Sequence, residues 1–457
     1  MRRRSEPVLT FVFNNDHQLK IVRQEREKYK KISRILVDHP VILDIVHEDL
    51  KTLSQDSGSG QRVREGDFTS ETILRTLIVH AVEGLSFRDT VIRIAESDFL
   101  QEFVRTRKRA TMDFTFLNKC LLAIQPETWK QVNEALAKAS AAEGKIDPAV
   151  VRTDTTVVES NIHWPTDSSL LWDVWRVVSR VLKRARKIDR QGVPHRFHDR
   201  KIKRLWLFIT RFIKSKSPAR RREVKRQFRT LIERVAWIVA NAVDFSDFAR
   251  NSSNLELQAM AAELEAMLPA MKRVVEQARR AQLQGETVPA AERVFSIFEP
   301  HTELIMRGRR EKPVEFGHKV LLTQTKQKFI TDYEVYEKQQ ADSKLTKTVI
   351  ERHEKLFGET PDVLAADKGF CPDGEEYAKL EKQVGTLAIP KRLQDMADAL
   401  MGVWQAFRAG IEGTISGLKR AFRLSRCFYR GFKGFGTAIG LGVFSHNLVV
   451  LAKLKTV

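Results

Sequence analysis

Cysteine is scarce in this 457-residue chain: Cys120, Cys371 and Cys427 stand far apart and form no CxxC pair. That argues against a disulfide scaffold or a zinc ribbon and for a reducing compartment. Long apolar runs are scarce as well. FGTAIGLGVFSHNLVVLAKL comes nearest to the roughly 18–20 residues of a membrane span, but His446 and Asn447 interrupt it, so a buried core helix is expected there and no membrane partner. The opening MRRRSEPVLTF has a basic start without a long apolar core or a small-residue cleavage site, so no secretory signal is expected. No internal repeat or low-complexity tail is visible. Acidic residues are outnumbered: 79 Lys and Arg against 58 Asp and Glu give a formal net charge of +21. A soluble, basic protein with a polyanionic partner follows, long enough for two or three domains.

Residues 1–145 read as helical, with apolar residues three and four apart in EREKYKKISRILVDH and in the stretch from SETILRTLIVHAV to SDFLQEFV. A polar, Gly/Ser-rich loop, LKTLSQDSGSGQRVREGDFTSE, separates them. GLSFRDTVIRIA has a Gly turn before a helix start, compatible with a helix-turn-helix-like DNA contact or with a plain packing corner. From Ala149 to Ser160 the pattern changes to period two. Val151, Thr153, Thr155 and Val157 point one way; Arg152, Asp154, Thr156 and Val158 point the other. Helices return over 161–300. Strand signals then resume at HTELIMRGR, VEFGHKVLLTQT and FITDYEVYE, followed by helix, strand VLAAD, helix, strand TLAIPK and two closing helices. Without the helical block this order suits a mixed sheet flanked by helices. Residues 161–300 are then an insertion after the first strand, 146–160, and 301–457 complete the core.

Three carboxylates stand out in different settings. Asp154 lies within the first strand. Asp367 follows Val363-Leu364-Ala365-Ala366, at a strand end where open α/β sheets present ligands; a lone Asp there is more often a helix cap or turn former. Glu412 lies on a helix whose apolar stripe is Val403, Phe407, Ile411, Ile415, Leu418 and Phe422, while Arg408, Glu412, Ser416 and Lys419 share another face. Gly410, Gly413 and Gly417 each cost that helix about 1 kcal/mol relative to Ala, which invites a close backbone or ligand. A solvated Arg–Glu–Lys face is the plainer alternative. Together, three such acids suit two hard divalent cations, Mg²⁺ or Mn²⁺, and cation pairs of this kind carry out phosphoryl displacement. Arg408 and Lys419, beside Glu412, are placed to hold phosphates.

These segments resemble the DDE transposases of bacterial insertion sequences, most nearly the ISNCY-type group. Asp154-Thr155 matches the family's first signature, and Ala366-Asp367-Lys368-Gly369-Phe370 its second. Arg408, Glu412 and Lys419 match the C-terminal signature, whose Tyr position is occupied here by Gln405. The likeness covers 149–160 and 300–457 well and the N-terminal helices more loosely. It implies an α/β (α+β) RNase H-like catalytic core with a mixed sheet, an all-helical N-terminal domain over 1–145 that binds DNA ends, and a long basic helical insertion. It also implies a reaction, cleavage at the element's ends followed by attack of the freed 3′-hydroxyl on target DNA. Asp154, Asp367 and Glu412 are then the catalytic metal ligands, for two ions, and Arg408 and Lys419 touch DNA. Double-stranded DNA is the partner, a homo-oligomer on DNA the working form, and the bacterial cytoplasm and its nucleoid the location. No small-molecule cofactor is implied. A nuclease that cuts without joining, and a non-enzymatic basic DNA-binding protein, are the alternatives.

The basic insertion carries its own signal. Residues 176–234 hold 22 Lys or Arg against 4 Asp or Glu, a net +18. Phosphate contacts by Arg184, Arg186, Lys187, Arg220, Arg221 and Arg222 would give salt-sensitive affinity without sequence choice. Trp172, Trp175, Trp206, Phe208 and Phe212 interleave with these charges, as helix packing or as stacking platforms. In NIHWPTDSSLLWD, His163 and Asp167 read as a turn on Pro165 capped by Asp167, with support of the acidic site as the other reading. His318 reads as a sheet-face residue with Lys319 beside it, His195 and His198 as non-ligands among arginines, and Cys371 as a small buried residue.

Overall fold

The structure is a computed structural model and describes residues 4, 19–54, 68–106, 112–306, 312–391 and 399–454. Most of the opening segment and residues 55–67 of the polar loop lie outside these. The chain divides into two compact units, one formed by 1–159 with 318–457 and the other by 160–317. The second therefore ends at Gly317, beyond the 300 expected from sequence.

The first unit begins with helices α1 (Lys20–Asp38), α2 (Pro40–Leu50), α3 (Ser70–Val82), α4 (Phe87–Ala95), α5 (Asp98–Val104), α6 (Phe114–Ala123) and α7 (Pro126–Ala142). Their starts follow local chemistry. Thr69, Ser86, Ser97 and Asp113 cap α3, α4, α5 and α6 through side-chain oxygens, and Pro40 and Pro126 occupy the first positions of α2 and α7. Tyr29, Ile73, Leu77 and Trp129 from these helices share one core with Leu441, Phe444 and Leu448 of the last helix, α15 (Gly431–Lys453). Helix α15 is long and apolar enough to cross a membrane, but 83% of its apolar window is buried inside the protein. Asn447, fully buried, accepts from the Ile330 amide at 2.8 Å and donates to Asn133 and to the Ile330 carbonyl. The residue that interrupts the apolar run thus satisfies the backbone of a neighbouring strand.

Strand β1 (Val150–Ser160) is central in the sheet. On one side it pairs in parallel with β5 (Val363–Ala365), which pairs in parallel with β6 (Thr386–Ala388). On the other side lies β3 (Val314–Thr325), antiparallel to β4 (Ile330–Tyr336). A two-residue strand, β7 (Arg426–Cys427), also pairs with β1. The crossovers are α12 (Leu345–Phe357), α13 (Gly374–Glu381) and α14 (Ala399–Arg420). Val151 and Leu364 pack on one face with Val349, Phe370 and Tyr377; Val158 and Leu322 pack on the other with Ile411, Leu418 and Ile439. Helices α12 and α13 therefore cover one face and α14 and α15 the other, which is why β1 is buried on both sides. The chain is a mixed α/β protein rich in helices.

In the second unit, α8 (Asp167–Ile188), α9 (Asp199–Phe212), α10 (Pro218–Arg250) and α11 (Leu255–Arg279) enclose a core of Leu171, Val178, Phe228, Leu231, Leu264 and Met271 among others. Strand β2 (Glu303–Met306) pairs antiparallel with Val314–Gly317, the start of β3.

Candidate active site

Asp154 and Asp367 meet because of strand register. Val150 pairs with Val363, Val151 with Leu364 and Arg152 with Ala365; two residues further along, Asp154 stands beside Asp367, across the roughly 4.8 Å that separates neighbouring strands. Strand β5 ends at Ala365 while β1 continues to Ser160, so the sheet opens next to the pair. Asp367 caps the short 3₁₀ turn Lys368–Phe370, its Oδ1 accepting from the Gly369 amide at 2.9 Å. The cap reading of Asp367 therefore accounts for one oxygen only; Oδ2 takes no hydrogen bond among the described residues. Asp154 Oδ1 accepts from the Thr155 amide at 2.7 Å. Burial, and then the neighbouring charge of Asp367, push the Asp154 carboxyl up to about 6. The Thr155 amide and Arg408 pull the other way, and Asp342 adds to the rise.

Glu412 reaches this pair through Arg408. Arg408 Nη2 donates to Glu412 Oε1 at 3.0 Å, and its Nη1 stands 3.5 Å from Asp154 Oδ2. The guanidinium is turned inward between two carboxylates, and its Nε is buried with no partner among the described residues. Glu412 itself is 64% exposed. Asp154 and Asp367 are thus brought together, while Glu412 is held off by one cation. Among the described residues no group of three His, Cys, Asp or Glu forms a ready-made metal cluster. Like charges with no cation between them repel, and Arg408 supplies that cation. Lys419, two turns beyond Glu412, is half-buried, against Thr156, Val158 and Leu418.

Sequence reasoning assigned no role to Arg152, Gln405 or Asp342; the first two fix α14 against the strands. Arg152, 4% exposed, donates from Nε to Gln324 at 2.8 Å and from Nη1 to the Phe407 carbonyl at 2.6 Å, and stacks over the Phe407 ring. A Cβ on Gly410 would lie 2.1 Å from Arg152 Nη1, so a side chain there would have to displace the buried guanidinium; Gly413 and Gly417 have nothing within 4 Å. The backbone or ligand expected beside these glycines is thus found at none of them among the described residues; at Gly410 a side chain, Arg152, comes close instead. Gln405, at the family's Tyr position, donates to the carbonyls of Ala366 (3.1 Å) and Ala388 (3.3 Å), tying α14 to the strand ends beside Asp367. The third residue, Asp342, precedes α12. Its Oδ1 accepts from Thr155 Oγ1 at 3.2 Å and from Lys319 Nζ at 2.9 Å. Only the alternation of β1, which turns Thr155 away from the α14 face, hinted at a partner there. The expected apolar stripe of α14 starts late, since Val403 is 61% exposed.

Other candidates find structural roles. His318 is fully buried, bonded to the Tyr336 carbonyl and set edge-on to Phe432 and Phe435. The Gly84 corner, with φ +59°, would place a Cβ 2.7 Å from the Ala421 carbonyl, so it abuts the end of α14 as a packing corner. Cys371, expected to be buried, is half-buried. In the second unit Thr166, and not Asp167, caps α8, in a capping box with Ser169. Asp167 is buried and accepts from Gln282 and Arg293, and His163 pairs with Asp173 at 2.7 Å, a bond that raises its pKa.

The cations of the second unit are mostly at its surface. Arg176, Arg180, Arg184 and Lys187 line one exposed face of α8 at helical spacing, beside a groove of about 400 Å³ that also takes in Trp172, Lys183 and Asp199. Trp172 and Trp206 stack with centroids 5.6 Å apart. Arg184 pairs loosely with Glu256 at 3.6 Å, and Arg186 donates to the His195 carbonyl. Arg180 and Lys187 have no ion-pair partner among the described residues. Arg220, Arg221 and Arg222 are exposed near the start of α10, the helix end whose dipole repels cations. Arg220 lies over the Phe212 ring and Arg221 bonds the Ser215 carbonyl.

The fold and site define a mixed α/β protein with paired carboxylates at an open sheet edge. Residues 307–448 match the family described as the transposase DDE domain, a stretch that contains Asp367 and Glu412 and leaves Asp154 upstream. The match supports a DDE transposase of insertion-sequence type, in keeping with the resemblance at the Asp367 and Glu412 segments, a class that implies an enzyme acting on DNA. No curated protein and no solved structure matches the chain.

Proposed function

We propose that this protein is a transposase that cuts DNA at the ends of an insertion sequence and joins the freed 3′ ends to target DNA. The observation that carries the reading is the adjacency of Asp154 and Asp367 across a parallel register, with Glu412 linked to Asp154 by Arg408. The mixed sheet with helices on both faces supports an RNase H-like core.

The donor set fits hard divalent cations. All three acids offer oxygens, and Asp367 Oδ2 and Glu412 Oε2 carry no hydrogen bond among the described residues. Two Mg²⁺ or Mn²⁺ ions held by Asp154, Asp367 and Glu412 would supply activation of the attacking oxygen and stabilisation of the leaving oxygen. The chain's own part is positional. Register sets the Asp154–Asp367 spacing, while Arg152 and Gln405 hold α14, and so Glu412, against the sheet. Arg408 balances the acids' charge and is free to turn to a phosphate once cations replace it. The basic face of α8 and the exposed arginines of α10 serve the DNA backbone, where cations placed against a helix dipole gain a partner.

The test is strand transfer with the element's own end duplex and a target plasmid in Mg²⁺ or Mn²⁺. Joined product is expected. Cleavage without joining would favour a nuclease, and binding without either reaction would favour a non-enzymatic DNA-binding protein.

A further inference from the structure

Within the first unit, the corner between α3 and α4 and the chain leaving α14 enclose a cavity of about 540 Å³, within the roughly 300–1,000 Å³ of ligand pockets. Its walls are apolar and aromatic. Phe87, Phe114, Leu424, Phe428 and Leu441 line it, and no acidic residue does among the described residues. One wall is a neutral stack. His80 lies on Phe87 with centroids 4.4 Å apart and planes 15° from parallel, and Tyr429 meets Phe87 edge-on. His80 bonds Thr90 through Nδ1 and the Tyr429 hydroxyl through Nε2, each at 3.1 Å. Burial, and then the charge of Arg423, push its pKa down to about 4, so it is uncharged at neutral pH. The Asn118 side chain, half-buried in the lining, makes no hydrogen bond among the described residues.

The segment that supplies another wall is cationic. Residues 419–433 carry six Lys or Arg and no Asp or Glu, interleaved with Phe422, Phe428, Tyr429 and Phe432. Arg420, Arg423, Arg430 and Lys433 are exposed and form no ion pair among the described residues. Arg423 lines the cavity in a left-handed backbone conformation, φ +57°, that large side chains seldom adopt. There its guanidinium lies 5.9 Å over the ring of Phe428, which is 58% exposed. Arg88 lies likewise over Phe114, at 4.9 Å. The cavity is apart from the three acids. Arg426, in its lining, bonds Glu159 at 2.9 Å, five residues along β1 from Asp154 and so about 17 Å from it.

Aromatic faces suit a flat ring, a free amide suits the ring's polar edge, and unpaired cations suit phosphate. A base still stacked in a duplex cannot enter such a cavity; one outside the stack can. An apolar peptide would leave the cations without a partner. We propose that this cavity takes an unpaired base of bound DNA, with Phe114 and Phe428 as stacking faces and Arg423 beside the adjoining phosphate. This inference rests on the reading of DNA as the partner.

The experiment titrates the full chain into a duplex with one extrahelical 2-aminopurine and into the fully paired duplex of the same sequence. Wild type is expected to bind the bulged duplex more tightly, because its base is already out of the stack, and to quench its fluorescence. Phe428→Ala, at an exposed ring outside the core, should weaken bulged-duplex binding by roughly 5- to 100-fold, the effect of removing one stacking partner. Equal wild-type affinity for the two duplexes, or a preference that Phe428→Ala keeps, would overturn the role of the cavity and leave DNA binding standing. No binding of either duplex would overturn the DNA reading as well. If Phe428→Ala turns an oligomeric chain monomeric and leaves the preference unchanged, the cavity is a contact between copies and the proposal fails. Should the variant not fold, photocrosslinking of wild type through a 5-iodouracil at the bulge decides. Attachment to Phe87, Phe114, Phe428 or Tyr429 is expected, and attachment only elsewhere would contradict the proposal.

Discussion

Replacing Asp154 or Asp367 by asparagine removes a charge and keeps the shape. At Asp154 the consequence is twofold. As a ligand, its loss should lower metal-dependent DNA cleavage by about 100-fold or more, since outer partners of metal sites already cost about 10- to 100-fold. As a buried acid, its folded pKa of about 6 lies above the ordinary 3.8, so the folded state binds the proton more tightly than the unfolded one. Without metal, its contribution to stability therefore improves as pH falls from about 6 towards 3.8 and is worst at neutral pH. Thermal unfolding of the metal-free protein should show Asp154→Asn more stable than wild type at pH 7.5, with the gap narrower at pH 4.5 and closing only below 3.8; a gap that does not change with pH would contradict the assignment. The sequence marks Asp154 and Asp367 by strand alternation and by a strand end, signals that survive without knowing any partner. It does not mark Asp342, Arg152 or Gln405, whose meaning lies in contacts 187, 255 and 39 residues away.

At the scale of the element, α14 is held to the sheet by a buried guanidinium lying where a side chain at position 410 would be. Gly410→Ala should displace Arg152 from the Phe407 carbonyl and cost about 1–3 kcal/mol, the price of a buried group left unpaired. Gly413→Ala and Gly417→Ala, with nothing within 4 Å of the added carbon, should stabilise the helix by about 0.5–1 kcal/mol each. Denaturant unfolding of the three variants tests the contrast, and equal effects at all three would contradict this account of α14. Helix existence was legible from periodicity, and so was the alternation of β1: Arg152 and Val158 face α14 and α15, while Val151 faces α12 and α13. Which helix face meets which sheet face was not, because periodicity identifies an apolar stripe without naming what covers it. The early exposure of α14 at Val403 and the exchange of Thr166 for Asp167 as the α8 cap belong to the same class, since element ends depend on local geometry as much as on residue type.

At the scale of the whole molecule, charge and core are divided between segments. The excess positive charge of 176–234 lies on helices with an apolar core of their own, and cations such as Arg180 and Lys187 are exposed, where a polyanion can reach them. Arg180→Ala with Lys187→Ala should weaken DNA binding to all sequences alike and flatten the dependence of log affinity on log salt by roughly 0.9 per lost phosphate contact. A loss confined to one sequence would contradict a backbone role. Composition foretold the basic block and the order of strands and helices foretold a mixed sheet. The end of the second unit at Gly317 was not foretold, because β3 reads as one continuous strand and nothing in its residues marks where its partners change.

The central claim is that Asp154, Asp367 and Glu412 form one metal-dependent site for cutting DNA. The measurement that tests it most directly is cleavage of the element's end duplex in Mn²⁺ by wild type, Asp154→Asn, Asp367→Asn and Glu412→Gln, with DNA affinity measured alongside. The account predicts that each variant binds the duplex as wild type does and fails to cut it. Cleavage that survives the loss of any one acid would contradict the site at that residue.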